Sequence, residues 1–118
     1  MTETEGHVGR LDTIFGQLEG SNGRVMKCKA MEGLLEEGKS VLENEMDEEV
    51  RDAALIAAAQ RVEHYEIAGY GCARTFAQRL GLSEIADLLQ ETLDEEKAAD
   101  EKLTQIAMDR VNSAAAAG

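Results

Sequence analysis

The sequence has no proline and no tryptophan, and its aromatic residues are limited to two tyrosines and two phenylalanines. With 43 per cent apolar residues, rich in Ala and Leu, that composition argues for an all-α protein. Basic residues are scarce as well: 12 Lys and Arg stand against 24 Asp and Glu, for a net charge of −12. A basic surface for nucleic acid or for an anionic membrane is thereby excluded, and solubility is favoured. Cys28 and Cys72 form no CxxC pair and no disulfide framework. There is no signal peptide and no apolar run long enough to span a bilayer, so the chain reads as soluble and cytoplasmic. No glycine-rich phosphate loop or nucleophile constellation is present. The acidic runs 43–49 and 91–101 lack the alternating oxygen ligands and central Gly of a calcium loop. At 118 residues the chain is sized for one domain, 1–112, followed by a small-residue tail, 113–118, expected to fray.

What is present is a long helical run, 52–71, with carboxylates set into its apolar stripe. At 100° per residue, Leu55, Ala59, Val62, Ala73, Phe76, Ala77 and Leu80 share one face. Glu66 falls near the middle of that face, Glu63 at its edge, and Tyr70 one turn after Glu66. Burial of an unpaired carboxylate is expensive, so something must compensate it, and a metal ion is the first candidate. Pairing with Arg61 or Arg74, or contact with water, is the alternative. Tyr70 is either a hydrogen-bond donor to one of these carboxylates or an ordinary core tyrosine.

The rest of the chain reads as helices around this run. A first helix over 2–18 places Val8, Leu11, Ile14, Phe15 and Leu18 on one stripe, with His7 inside the same arc and Glu3 one turn before it. Gly20, Ser21, Asn22 and Gly23 break it. A second helix over 25–43 has Cys28, Met31, Leu35, Gly38 and Leu42 on its apolar face. Asp47 is placed to cap a third helix of about 33 residues, about 50 Å long at 1.5 Å per residue, ending at Leu80. Gly81 is its predicted left-handed terminator, with Leu82 as the accompanying apolar contact. Ser83 is then the expected cap of a fourth helix reaching Asn112, antiparallel to the third. On that helix Ile85, Leu89, Leu93, Ala99, Leu103 and Ile106 form the stripe. Glu96 sits at its centre, with Thr92 and Asp100 one turn to either side and Glu95 near an edge. His64 is expected to be exposed.

Four blocks, ETEGHVGRLDTIF, KCKAMEGLLEEG, AALIAAAQRVEHYEIAGYG and LLQETLDEEKAADEKLTQIA, together resemble the YciE/YciF family of ferritin-like proteins. They occur in the family's order and span nearly the whole chain. The resemblance implies a four-helix bundle with a short extra helix and a dinuclear metal site of ferritin type, with a stress association. In ferritin-like bundles two helices each give a Glu and two more give a Glu plus a His one turn on. Carried onto this chain, His7 matches a family histidine, with Glu3 the nearest carboxylate. Thr4 occupies the usual i−3 position. Glu66, or Glu63, matches the glutamate of the next bundle helix, and Glu96 that of the last. Ala99 stands where a second histidine would be, and Asp100 could substitute only with a shifted geometry.

Family members carry a preceding long helix that supplies another carboxylate, so the resemblance implies a bundle lacking its first helix: three main helices and a shorter one. The expected function is carboxylate-based binding of iron, with manganese or zinc as alternatives, at Glu66, Glu96, Glu63, Glu3 and His7. Tyr70 and Asp100 are expected just behind these ligands. The intact family site implies oxidation of ferrous iron or peroxide chemistry, which is not expected of this short form. The competing expectation is a non-enzymatic helical assembly protein. An apolar groove left open by the absent helix predicts a homodimer or a higher homo-oligomer.

Overall fold

A computed structural model describes residues 2–18 and 27–117. Helix α1 spans Thr2–Gln17, α2 Lys29–Glu43, α3 Glu48–Arg79 and α4 Ser83–Ile106. A π-helical turn, Ala107–Val111, then leads into α5, Asn112–Ala117. No strand occurs among the described residues. The expected break at 20–23 and the expected start of the second helix at 25 lie outside the described residues. Within them, α2 begins only at Lys29, after Cys28 in an extended conformation.

The α3–α4 hairpin is the spine. Gly81 adopts φ +74°, the left-handed conformation that costs a side-chain-bearing residue energy. Its N–H donates to the Gln78 carbonyl at 3.1 Å, and the Leu82 N–H donates to the Ala77 carbonyl at 2.9 Å. These two bonds satisfy carbonyls that the end of α3 would otherwise leave free. Leu82 packs against the cluster that contains Ala77, so an apolar contact closes the same turn. The expected side-chain caps fail. Asp47 precedes α3 in an extended conformation but its side chain makes no capping bond. Ser83 is the first residue of α4, and Leu82 holds the cap position without a side-chain bond.

α4 packs along α3, α2 covers another part of α3, and α1 lies against α4. The core is small: Ile14 from α1, Ala77 from α3, and Ile85, Ala86 and Leu89 from α4 are buried together. Leu11, Leu18, Tyr70 and Ala73 pack around them. Helix α2 buries no residue fully. Leu34, Leu35 and Leu42 instead form, with Leu55 and Val62 of α3, an open apolar groove of about 350 Å³. The molecule measures 55 × 27 × 23 Å, its long axis set by the 32 residues of α3.

Three expectations about burial are corrected. Phe76 and Leu80, assigned to the buried stripe of α3, are 66 and 74 per cent exposed, and Ile106 of α4 is also exposed. The faces are apolar as expected, but no described element covers them there. Through its described length the 113–118 tail is helical: α5 runs to Ala117 and packs on α3. Four consecutive alanines, the strongest helix formers, account for that.

Two glycines should respond in opposite directions to substitution. Gly81→Ala forces a side chain into the left-handed region and should lower the unfolding free energy by about 1–2 kcal/mol. Gly38 lies inside α2, where an added Cβ would sit 3.9 Å from the Ala58 Cβ, an ordinary contact. Gly38→Ala should therefore raise stability by about 0.5–1 kcal/mol. Urea unfolding followed by circular dichroism measures both.

Candidate metal centre

α4 carries the most buried surface of the molecule. Ile85, Leu89, Thr92, Leu93 and Glu96 all lie on its inner face, with Thr92 only 1 per cent exposed and Glu96 only 4 per cent. Glu96 thus occupies a position at which the helical pattern elsewhere places leucine. Across the seam α3 contributes Glu63 and Glu66. One oxygen from each of Glu63, Glu66 and Glu96 falls within 4.8 Å of the others. The register follows from the turn: Glu66 precedes Gly81 by 15 residues (81 − 66) and Glu96 follows it by 15 (96 − 81). Equal arms of an antiparallel hairpin bring the two to the same height.

His7, on α1, is buried and joins this group from the third side. Its Nδ1 lies 2.8 Å from Glu96 Oε1, and its Nε2 lies 2.8 Å from Glu95 Oε2. Arg10, one turn further along α1, holds Glu95 with both of its terminal nitrogens. Nη2 donates to Glu95 Oε1 at 2.6 Å and Nη1 donates to Oε2 at 3.0 Å. The same guanidinium donates to Thr92 Oγ1 at 3.2 Å and to Glu91 Oε1 at 3.1 Å. Glu3, exposed on α1, comes close to His7 and Glu95.

Adjacent residues of α4 are thereby driven in opposite directions. The Arg10 guanidinium, with the His7 hydrogen bond, holds the Glu95 carboxyl down at about 2. Burial, reinforced by hydrogen bonds to Glu63 and Glu66 and by their charges, pushes Glu96 up to about 10. Residues 100° apart on a helix face different neighbours, and here one faces a cation while the other faces two carboxylates. The Tyr70 hydroxyl is raised too, first by burial and then by the Glu66 and Glu96 charges.

The expected site residues divide into two groups. Glu63, Glu66 and Glu96 lie together, and His7 reaches them through Glu96. Glu3 approaches His7 from the Glu95 side and belongs to a different triad from the three seam carboxylates. Tyr70 meets the site through its ring, edge-on to His7 with centroids 6.5 Å apart, and not through a hydrogen bond to a carboxylate. Asp100 is turned to His64, whose Nε2 lies 2.9 Å from Oδ2, while Oδ1 is buried without a partner. His64 is exposed, as expected. The arginines that might have neutralised the seam are engaged elsewhere: Arg61 pairs with Glu37 and Arg74 donates to Gln90. Nothing in the apolar pattern singles out Arg10, and that pattern places Glu95 only near an edge of the stripe. The available signal was the i, i+3 spacing of His7 and Arg10, which puts both on the side of α1 facing α4.

Three acidic side chains around one point, with an imidazole 2.8 Å from one of them, form a donor set suited to a divalent transition metal. Two oxygens in the cluster, Glu63 Oε2 and Glu96 Oε2, are buried with no hydrogen-bond partner. Buried acceptors left unpaired are costly, and a cation between them would satisfy both. The residues present therefore fit a metal.

An antiparallel helical hairpin with carboxylates on its inner seam, joined by a histidine from a neighbouring helix, defines a ferritin-like bundle. The chain belongs to the YciE/YciF family, described as a domain of unknown function, DUF892, whose model matches residues 1–116. It is 52 per cent identical over 115 residues to protein YciF of Escherichia coli strain K12, covering 98 per cent of this chain and 69 per cent of that protein. The crystal structure of the E. coli stress protein YciF superposes with a TM-score of 0.89 at 53 per cent identity, covering 94 per cent of this chain and 70 per cent of the other. YcfI from Rhodopseudomonas palustris, for which a structural role has been suggested, gives a TM-score of 0.80 at 42 per cent identity, covering 87 and 65 per cent. No described helix is long and apolar enough to cross a membrane.

The Glu96 environment carries a signed pH dependence in chelator-stripped protein. Its folded-state pKa lies above the unfolded value, so the stabilising proton is fully present below about pH 4.5 and is lost as pH rises toward about 10. Glu96→Gln keeps the neutral shape and has no proton to lose. The stability difference between Glu96→Gln and wild type should therefore be flat in acid and grow in favour of the variant as pH rises. Urea midpoints across that range measure it, and a difference independent of pH would contradict the assignment.

Proposed function

We propose that the protein is a carboxylate–imidazole metal-binding protein, with Glu63, Glu66, Glu96 and the His7 Nδ1 as the ligands. The observation that carries this reading is the pair of partnerless oxygens, Glu63 Oε2 and Glu96 Oε2, inside a cluster that already has three acidic side chains. The donor set suits iron, manganese or zinc, and the ferritin-like family favours iron. A bound iron would supply one-electron redox chemistry. The chain's own residues do the rest: α3 and α4 present the carboxylates at one height, α1 brings the imidazole, and the apolar residues around Glu96 keep water out. The description of YciF as a stress protein makes a stress-associated role for this chain the matching proposal.

Metal titration tests the site. Zinc and ferrous iron, added separately to stripped wild type, Glu66→Ala and Glu96→Ala, should bind tightly to the first and lose measurable affinity for both variants. Binding to wild type should weaken as pH falls, because the ligands must release their protons. Equal affinity in all three proteins would assign the seam carboxylates to folding or assembly.

A second reading, self-association, rests on a separate observation. Phe15, Phe76 and Leu80 are each 60 per cent exposed or more, and the latter two lie one turn apart on α3. Large exposed side chains on a soluble domain mark contact surfaces. A homodimer that covers them is the expected assembly, in keeping with the structural role suggested for YcfI. Sedimentation over a dilution series should show a species of twice the monomer mass, reduced in Phe76→Ser/Leu80→Ser. A monomer at every concentration would remove this reading and leave the metal site untouched.

A further inference from the structure

The Glu3, His7 and Glu95 triad looks at first like a second ligand set beside the seam carboxylates. Its hydrogen bonds argue otherwise. Both Glu95 oxygens already accept from Arg10, and Oε2 also lies 2.8 Å from His7 Nε2. A cation on Glu95 would have to sit against the guanidinium of Arg10, a fixed positive charge. Glu95 is occupied as an acceptor, and its one remaining contact is the imidazole. That contact settles which ring nitrogen carries the hydrogen. A carboxylate paired to arginine accepts and does not donate, so Nε2 carries a hydrogen; in the neutral ring Nδ1 is then the acceptor and takes the carboxyl hydrogen of Glu96, whose Oε1 lies 2.8 Å away. A metal-binding histidine typically has its second nitrogen held in this way, which fixes tautomer and ring orientation.

We propose that Arg10 and Glu95 are positioning residues: a clamp, anchored on Thr92, that locks His7 in its Nε2–H form and holds Nδ1 on Glu96, the central carboxylate of the seam. The claim rests on the metal reading above for its purpose, but its geometry is a property of the metal-free chain. Arg10 is suited to the task because it reaches three residues of α4, Glu91, Thr92 and Glu95, and so ties the ring of one helix to the frame of another. The edge-on contact of Tyr70 restrains the opposite degree of freedom, the tilt of the imidazole plane. Glu95 touches no metal in this arrangement, although it neighbours Glu96 in sequence.

The chain has only two histidines, so its imidazole nitrogens are assignable by nuclear magnetic resonance without ambiguity. In stripped wild type with 15N-labelled histidine at about pH 8, His7 should show the Nε2–H form. Arg10→Gln and Glu95→Ala should give a mixture of tautomers, and Glu95→Gln, which keeps an acceptor oxygen, should restore the wild-type form. Zinc affinity should fall by roughly 10–100-fold in Glu95→Ala, recover in Glu95→Gln, and vanish in Glu66→Ala. An Nδ1–H ring in wild type overturns the clamp, and that measurement needs no variant to fold. Loss of zinc in Glu95→Gln as complete as in Glu66→Ala makes Glu95 a ligand and overturns it as well. The Nε2–H form in wild type, released in Arg10→Gln, supports the clamp even if wild type binds no zinc, a result that would sink the metal reading alone.

Discussion

Burial of Glu96 on the inner face of α4 makes a demand that the surrounding residues answer. The penalty for an unpaired ionised carboxylate in such a place amounts to several kcal/mol, a large share of the 5–15 kcal/mol that holds a typical domain together. The fold meets it in part by keeping Glu96 protonated and in contact with Glu63, Glu66 and His7. Each of these contacts depends on the α3–α4 register. The register depends in turn on Gly81, whose left-handed turn sets the two arms of the hairpin at equal length from the site. A one-residue slip on either helix would rotate its carboxylate by about 100° out of the seam.

α1 is attached to this frame largely through the same network. His7 and Ile14 are its only buried residues among those described. Leu11 and Leu18 give apolar contact at one end of the helix, and Arg10 with His7 gives polar contact at the other. The residues that dock α1 and those that would complete a metal site are therefore the same or adjacent. Anything that satisfies Glu96 and the His7 Nδ1 also strengthens the seat of α1, and local opening of α1 would expose the cluster. Site occupancy and helix docking are linked by shared side chains.

The long hairpin was legible in the sequence because its signals are local. Glycine at 81, the apolar stripes of α3 and α4, and carboxylates at Glu66 and Glu96 can all be placed by counting along one chain segment. The equal height of Glu66 and Glu96 followed from that count. What failed needed information from elsewhere in the molecule. Periodicity identifies Phe76, Leu80 and Ile106 as belonging to apolar faces, but whether another element covers them is a tertiary fact. The Arg10–Glu95 pair spans 85 residues, and each partner alone looks like an ordinary surface charge. Glu3 was assigned to the site through its proximity to His7, yet His7 has two ring nitrogens that face different groups. Only the three-dimensional structure shows on which side Glu3 stands.

The cluster also discriminates between the two functional readings on energetic grounds. A bundle that served assembly alone would gain by filling the seam with leucine, since replacing buried charged groups by well-packed apolar ones is often neutral or stabilising. Here the opposite arrangement stands on the inner face of α4, one turn after Thr92 and Leu93. Paired arginines would have neutralised it, and the two candidates on α3 are directed elsewhere, Arg61 to Glu37 and Arg74 to Gln90. Among the described residues, the one arginine that does reach the site, Arg10, neutralises Glu95 and not the seam trio. Protonation of Glu96 relieves part of the repulsion but leaves Glu63 Oε2 and Glu96 Oε2 without partners. A site built to be neutral would not place its arginine one residue away from the group in need. A positive charge supplied from outside the chain resolves the arrangement, which is why the carboxylates weigh toward metal binding while the exposed Phe76 and Leu80 independently weigh toward assembly.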